Sequence, residues 1–346
     1  MSGFKVSMLM SLVVAHALAT SSLALAQDKV ELGICGGGKS GTYIKAAKYI
    51  KQMLVGNSGK SDFEVKVYET EGSQDNINLM AEEKCQVAVI QNDTNEWYLR
   101  QAHATPLALR TVNKAYKEHF HMVCHRSLKV EDFDDLVKLS KTGQSLVYVG
   151  SANSGGAMTM DNLKNLRKDY ESINPFPNDR TEKLDHTQNA IDLALLNKAC
   201  AAFVTRAPYE HLKKLNETQY RELNLVNMND GKFNNLEDKD GNELYEFVKY
   251  SDLEENLYNK LRMRNPDATG LSSYGERDIY ALAITANVVV NVDWETNMKG
   301  QLQTVGKTGT VMKWDRVLGN IAKFNGNFDQ IASVLKAVTS QPPPRD

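Results

Sequence analysis

The sequence reads as an α/β protein of two similar α/β lobes with mixed sheets and a ligand cleft between them. Three observations carry that reading: an internal repeat, strand-like runs alternating with helix-like ones, and small-residue loops at the strand ends. The 346 residues are 42% hydrophobic, enough for the cores of about two domains. The repeat appears when "GGGKSG" from Gly36 is laid on "GSANSG" from Gly150. Gly36, Ser40 and Gly41 then fall on Gly150, Ser154 and Gly155. The same offset carries "SQDNINLMAEEKCQVAVIQ" from Ser73 onto "TQNAIDLALLNKACAAFVT" from Thr187 without a gap, matching Gln74 to Gln188, Ile77 to Ile191, Leu79 to Leu193, Lys84 to Lys198 and Ala88 to Ala202. Two diverged copies of one unit account for this.

The elements follow in order. Lys5, an apolar run and Ala24-Leu25-Ala26 form a secretory signal peptide, so residues 1–26 are expected to be cleaved. In each copy a strand comes first, "VELGIC" or "SLVYVG". A loop then opens a helix, "TYIKAAKYIKQML" or "AMTMDNLKNLRKDY". "FEVKVYE" is a second strand and "INLMAEE" a second helix; "QVAVIQ" or "AAFVT" closes the unit. Such alternation means parallel pairing through crossovers. "HFHMVCH" reads as a strand, with a first crossing between lobes near His125, and "VEDFDDLVKL" as a short amphipathic helix. Residues 227–276 are polar and irregular, with a hairpin expected at Asp240-Gly241. "DIYALAITANVVVNV" returns to the first lobe, and "QPPPRD" is a tail. The expected division is 27–125 with 276–346 as lobe I, and 126–275 as lobe II.

Composition excludes little beyond a general nucleic-acid binder, since the formal net charge is −2. The four cysteines, Cys35, Cys85, Cys124 and Cys200, allow two disulfides in three full pairings. Each lies in or beside an apolar run, so buried free thiols are an equal expectation.

"LGICGGGKSGTY" satisfies two phosphate-loop patterns at once. Gly33, Gly38, Lys39 and Ser40 fit G-x-x-x-x-G-K-[ST], while Gly36, Gly38 and Gly41 fit G-x-G-x-x-G. Export to a compartment poor in ATP and NAD argues against both, as does the short, half-polar strand before Gly33. The expectation is an anion-friendly helix N-terminus without nucleotide, since unpaired N–H groups and the helix dipole favour negative charge there. In parallel α/β sheets, ligands sit beyond the carboxyl ends of the strands. Those ends carry "GGGKSGTY", "TEGSQDN", "IQND", "GSANSGG" and "FVTRAP".

In this order the motifs resemble the TAXI family of TRAP-transporter solute receptors, which have the periplasmic binding protein type II fold. The matching segments are Gly41-Thr42-Tyr43-Ile44, then Thr70, Gly72, Ser73 and Asn76, then Ile90-Gln91-Asn92-Asp93, the loop Gly150–Gly156, and Phe203–Pro208. The resemblance runs from about Val30 to about Val290. It implies a periplasmic receptor that closes around a small solute by a hinge and passes it to a TRAP-type membrane permease. It implies no enzyme activity and no cofactor, with a monomeric chain. Expected ligand contacts are Gly38, Ser40, Gly41, Thr42, Tyr43, Ser73, Asn76, Gln91, Asp93, Ser151, Asn153, Ser154, Gly155, Thr205 and Arg206. Ile44 replaces a family Tyr, Gly156 a Thr, and Arg206 a small residue. The C-terminal segment "GKTGTVMKWDRVLG" also departs from the family. The family's ligands, amino acids and dicarboxylates, are therefore expected only as a class. Arg206 is the expected main charged contact of a small carboxylate, because a guanidinium can donate two parallel hydrogen bonds to one; a rim position paired with Glu210 is the alternative.

Two other functions start from particular residues. His119, His121, Cys124 and His125 place two histidines on one strand face, a possible metal surface. An exported enzyme on the same bilobal fold is the other, although the serines lie in small-residue loops without a convincing His and Asp set.

Overall fold

A computed structural model describes residues 29–323 apart from 40, 57–60, 102–104, 144–145, 166–167, 178–185, 207–209, 230–232, 234–235, 238–240, 242, 251, 254–260 and 262–277. The expected signal peptide, Ser40, Asp240, Pro208 and the "QPPPRD" tail lie outside the described residues.

The first copy runs β1 (Val30–Cys35), α1 (Thr42–Val55), β2 (Phe63–Tyr68), α2 (Ser73–Ala81) and β3 (Val87–Gln91), followed by α3 (Thr94–Leu99). β1 lies between β2 and β3 and is parallel to both. After β4 (Leu109–His125) and α4 (Phe133–Ser140), the second copy repeats the plan. It runs β5 (Val147–Tyr148), α5 (Gly155–Lys164), β6 (Pro175–Phe176), α6 (His186–Leu196) and β7 (Cys200–Thr205). β5 lies between β6 and β7, again parallel to both. The offset found between Gly36 and Gly150 is thus a repeat of three-dimensional structure.

α7 (Glu210–Lys213), α8 (Glu217–Glu222), β8 (Leu223–Leu225) and β9 (Glu246–Lys249) follow, then β10 (Tyr280–Asn291), α9 (Val292–Thr304) and α10 (Thr308–Ala322). All the described strands form one mixed sheet, ordered β2-β1-β3-β10-β4-β7-β5-β6, with β8 on β4 and β9 on β10. The long antiparallel pair β4–β10 joins the two parallel groups. β4 is longer than the strand legible from "HFHMVCH". At one end Leu109 faces Asn291, and at the other Cys124 faces Cys200, so the strand itself carries the chain from one group to the other. Glu237 and Glu243 form an isolated antiparallel bridge and Gly241 has φ 79°, while Asp240 of the expected hairpin lies outside the described residues.

Each half has its own core. In the first, Leu32, Ile34, Leu54, Phe63, Val87 and Val89 pack with Trp314 of α10. In the second, Phe120, Phe133, Leu136, Val147, Met160 and Tyr170 gather on one face of the sheet. Ile191, Ala201, Phe203 and Leu223 gather on the other. A fully buried aliphatic or aromatic side chain of this kind contributes about 1.5–3 kcal/mol.

The cysteines are paired as Cys35–Cys85 and Cys124–Cys200, one bridge in each half. The expectation of buried free thiols is therefore corrected. The sheet register sets Cys124 directly opposite Cys200, and Cys35 lies on β1 beside the approach to β3.

Candidate functional site

The opening loop is explained by packing. Gly33 lies inside β1, where a Cβ would stand 1.9 Å from the Lys84 carbonyl oxygen. A phosphate loop needs its first glycine after the strand. Gly41 and Gly72 are the N-cap residues of α1 and α2 and bring no side chain to those first turns. Ser154, the N-cap of α5, accepts from the Ala157 N–H at 3.1 Å. Gly38 is exposed and accepts from the Gly41 N–H at 2.7 Å.

Two of the expected residues, Tyr43 and Arg206, contact two that sequence reasoning missed, Tyr116 and Glu118 of β4, and Ser73 and Gln91 stand behind Tyr43. The Tyr43 hydroxyl donates to Glu118 Oε2 at 2.6 Å. Ser73 Oγ hydrogen-bonds Tyr43 and accepts from the Gln91 N–H at 3.1 Å. Thr42 lies beside the Tyr116 hydroxyl and lowers its pKa against burial. The half-buried Arg206 holds its guanidinium 5.0 Å from the centre of the Tyr116 ring, a cation–π contact. Thr205, one residue earlier, pairs with His119 across the sheet. A glutamate on the buried face of a strand has no signature in the sequence, because the side chains that cover it come from distant elements, here Tyr43 of α1.

Electrostatics set this cluster apart. Burial pushes the Glu118 carboxyl up to about 7, against the pull of the Tyr43 hydrogen bond and Arg206; Asp93 pushes it further up. Burial, and then Glu118, raise the Tyr43 and Tyr116 hydroxyls far above the usual tyrosine range.

The remaining expected residues hold the two halves together or brace one of them. Asn76 is fully buried. Its Nδ2 donates to the Gly36 and Val89 carbonyls at 2.5 and 2.7 Å, and its Oδ1 accepts from Thr70 at 2.6 Å. Asp93 is fully buried, and its Oδ2 accepts from Tyr245, Thr159 and Asn162 at 2.8, 2.9 and 3.2 Å. Burial raises its pKa, and those three bonds partly offset the rise. Gln91 donates to Thr159 at 3.5 Å, and a Cβ on Gly155 would stand 2.0 Å from Gln91 Oε1. Ser151 and Asn153 both donate to the Glu71 carboxylate, Asn153 at 3.0 Å. The loop before α2 therefore touches the loop before α5.

His119 and His121 lie side by side with ring centres 6.2 Å apart, but the other expected metal-surface residues do not join them as a ligand set. Cys124 is in a disulfide, and His121 stacks on Tyr250 with ring centres 5.5 Å apart while Nδ1 lies 3.1 Å from the Tyr250 hydroxyl. Among the described residues no group of three His, Cys, Asp or Glu could hold a metal ion. Nor is any helix among them long and apolar enough to cross a membrane.

Comparison with known proteins gives one sequence match. A family described as "NMT1-like family" matches residues 34–240. No curated protein matches. Among solved structures, lactococcal OpuAC in its closed-liganded conformation with glycine betaine is 9% identical, covers 91% of this chain and 92% of its own, and has a TM-score of 0.44. MatC from Rhodopseudomonas palustris with bound malate is 9% identical, covers 90% of each chain, and scores 0.44. The alkanesulfonate-binding protein SsuA from Xanthomonas axonopodis pv. citri, bound to MOPS, is 12% identical, covers 92% of this chain and 86% of its own, and scores 0.38. At such scores nothing about their ligands passes to this chain.

Proposed function

The chain belongs to the NMT1-like family, and from that premise we propose that it is an extracytoplasmic receptor for a small carboxylate-bearing solute. The solute is of the amino acid or dicarboxylate class, is captured between the two halves, and is delivered by a monomeric receptor to a TRAP-type permease. The observation that carries this reading is Arg206 at the end of β7, its guanidinium against Tyr116 where β4 passes between the halves. The starts of α1 and α2, capped by Gly41 and Gly72 after the carboxyl ends of β1 and β2, offer backbone N–H groups and partial positive charge from the two faces of the sheet. Thr42, Tyr43, Ser73, Gln91 and Arg206 are the proposed contacts, with 27–125 and 276–346 as one lobe and 126–275 as the other. Two buried disulfides support an oxidising, extracytoplasmic location.

Thermal melting against small mono- and dicarboxylates and amino acids tests the reading. A solute at about 100 times its dissociation constant adds roughly 2.7 kcal/mol of stability. Hydrogen bonds to charged groups contribute about 1.5–3 kcal/mol, so Arg206→Ala weakens binding roughly ten- to a hundredfold. An affinity within about twofold of the wild type would make Arg206 a structural residue.

A further inference from the structure

We propose that Glu118 is a specificity-determining gate of this site: its carboxyl competes with an anionic solute for Arg206, so that capturing a carboxylate takes up a proton at Glu118. The inference rests on the reading of Arg206 given above. In chemical terms a proton from solvent bonds to a Glu118 oxygen, and no other covalent bond changes.

Glu118 is a buried carboxyl beside a half-buried guanidinium. Glu118 is 8% exposed on β4. The titratable or charged groups that face it are Tyr43 from α1, Tyr116 from its own strand, Asp93 from the end of β3 and Arg206 from the end of β7. Among these Arg206 is the one cation. A solute carboxylate brought to Arg206 therefore sets its own charge and that of Glu118 against one guanidinium, with Asp93 already adding to the repulsion at Glu118, in surroundings where repulsion between like charges is poorly screened. One carboxyl has to become neutral. Asp93 is held by three donors on a single oxygen. Glu118 is held by one tyrosine hydroxyl, so its anion is the less supported and it yields first. Burial has already brought its pKa to about 7, so the proton is on hand near neutral pH.

When binding needs the protonated form, apparent affinity falls with the fraction of protein that carries the proton. The test is calorimetric titration of the full mature chain with succinate and with L-glutamate, at pH 6.5 and 8.5, in two buffers of different ionisation enthalpy. The expected result, for whichever probe binds, is affinity about tenfold or more weaker at pH 8.5, with about one proton taken up per solute there. Glu118→Gln, which keeps the shape and removes the charge, should bind with nearly the same affinity at both values. Equal wild-type affinity at both pH values, tighter binding at pH 8.5, or no proton uptake overturns the gate and leaves the receptor reading standing. The proton count comes from the wild type alone and holds if the variant does not fold. If neither probe binds at either pH, the carboxylate reading falls and the gate falls with it.

Discussion

Glu118 and His119 are neighbours on β4 whose buried groups make stability respond to pH in opposite directions. Burial lowers the His119 pKa to about 4. In the unfolded chain a histidine takes its proton near 6.5. As pH falls from about 6.5 towards 4, the unfolded chain binds a proton that the folded one refuses. Stability is thus fully present above 6.5 and is lost on acidification. Glu118 is raised to about 7, so its contribution is present below about 4.5 and is lost as pH rises through 7. Urea melts should show His119→Gln losing less stability than wild type as pH falls from 7 to 5, and Glu118→Gln losing less as pH rises from 5 to 7. Parallel curves for variant and wild type would refute each assignment. Backbone strain gives a sharper test at Gly72, which has φ 137° and ψ −151°, a region open essentially to glycine alone. There Gly72→Ala should cost about 1–3 kcal/mol. An unchanged denaturation midpoint would mean that the turn relaxes freely.

Each half combines a three-stranded parallel group with one disulfide. Closing loops over sequence separations of 50 and 76 residues restricts the unfolded chain. Replacing either cysteine pair by serine should therefore destabilise by about 2–4 kcal/mol in chemical denaturation. A loss below about 0.5 kcal/mol would show that the sheet alone sets the geometry. The elements were legible in the sequence wherever apolar periodicity ran unbroken. "VELGIC", "FEVKVYE", "QVAVIQ" and "AAFVT" became β1, β2, β3 and β7 with no end shifted by more than one residue. "SLVYVG" shrank to Val147–Tyr148, because Gly150 turns the chain at φ 78° towards α5. The pairing of the cysteines was not legible, since three pairings satisfy the same spacing and only the sheet register selects one. Glu118 was hidden for a related reason. Whether a charged residue on a strand faces water or the core depends on what packs over it, here α1 through Tyr43.

Across the molecule, the contact between the halves is the feature that repeats and loops alone did not foretell. α2, α3 and α5 meet through Ile77, Trp97, Tyr98 and Met158, with the Trp97 indole N–H donating to Asp161 at 3.1 Å. Asp93 adds its bonds to Thr159 and Asn162. This seam holds the glycine-rich loops of both copies against each other. Trp97→Ala should loosen it, enlarging the radius of gyration measured by small-angle scattering without ligand. An unchanged radius would assign the seam no part in holding the halves closed. The central claim is that a small carboxylate is held at Arg206 between the halves. Its most direct test is mass spectrometry of whatever small molecule is released when the protein, purified from its native compartment, is denatured. The prediction is one carboxylic acid in roughly stoichiometric amount from the wild type and a strongly reduced amount from Arg206→Ala. Release of a solute without a carboxyl group, or of the same acid in equal amount from both proteins, would contradict it.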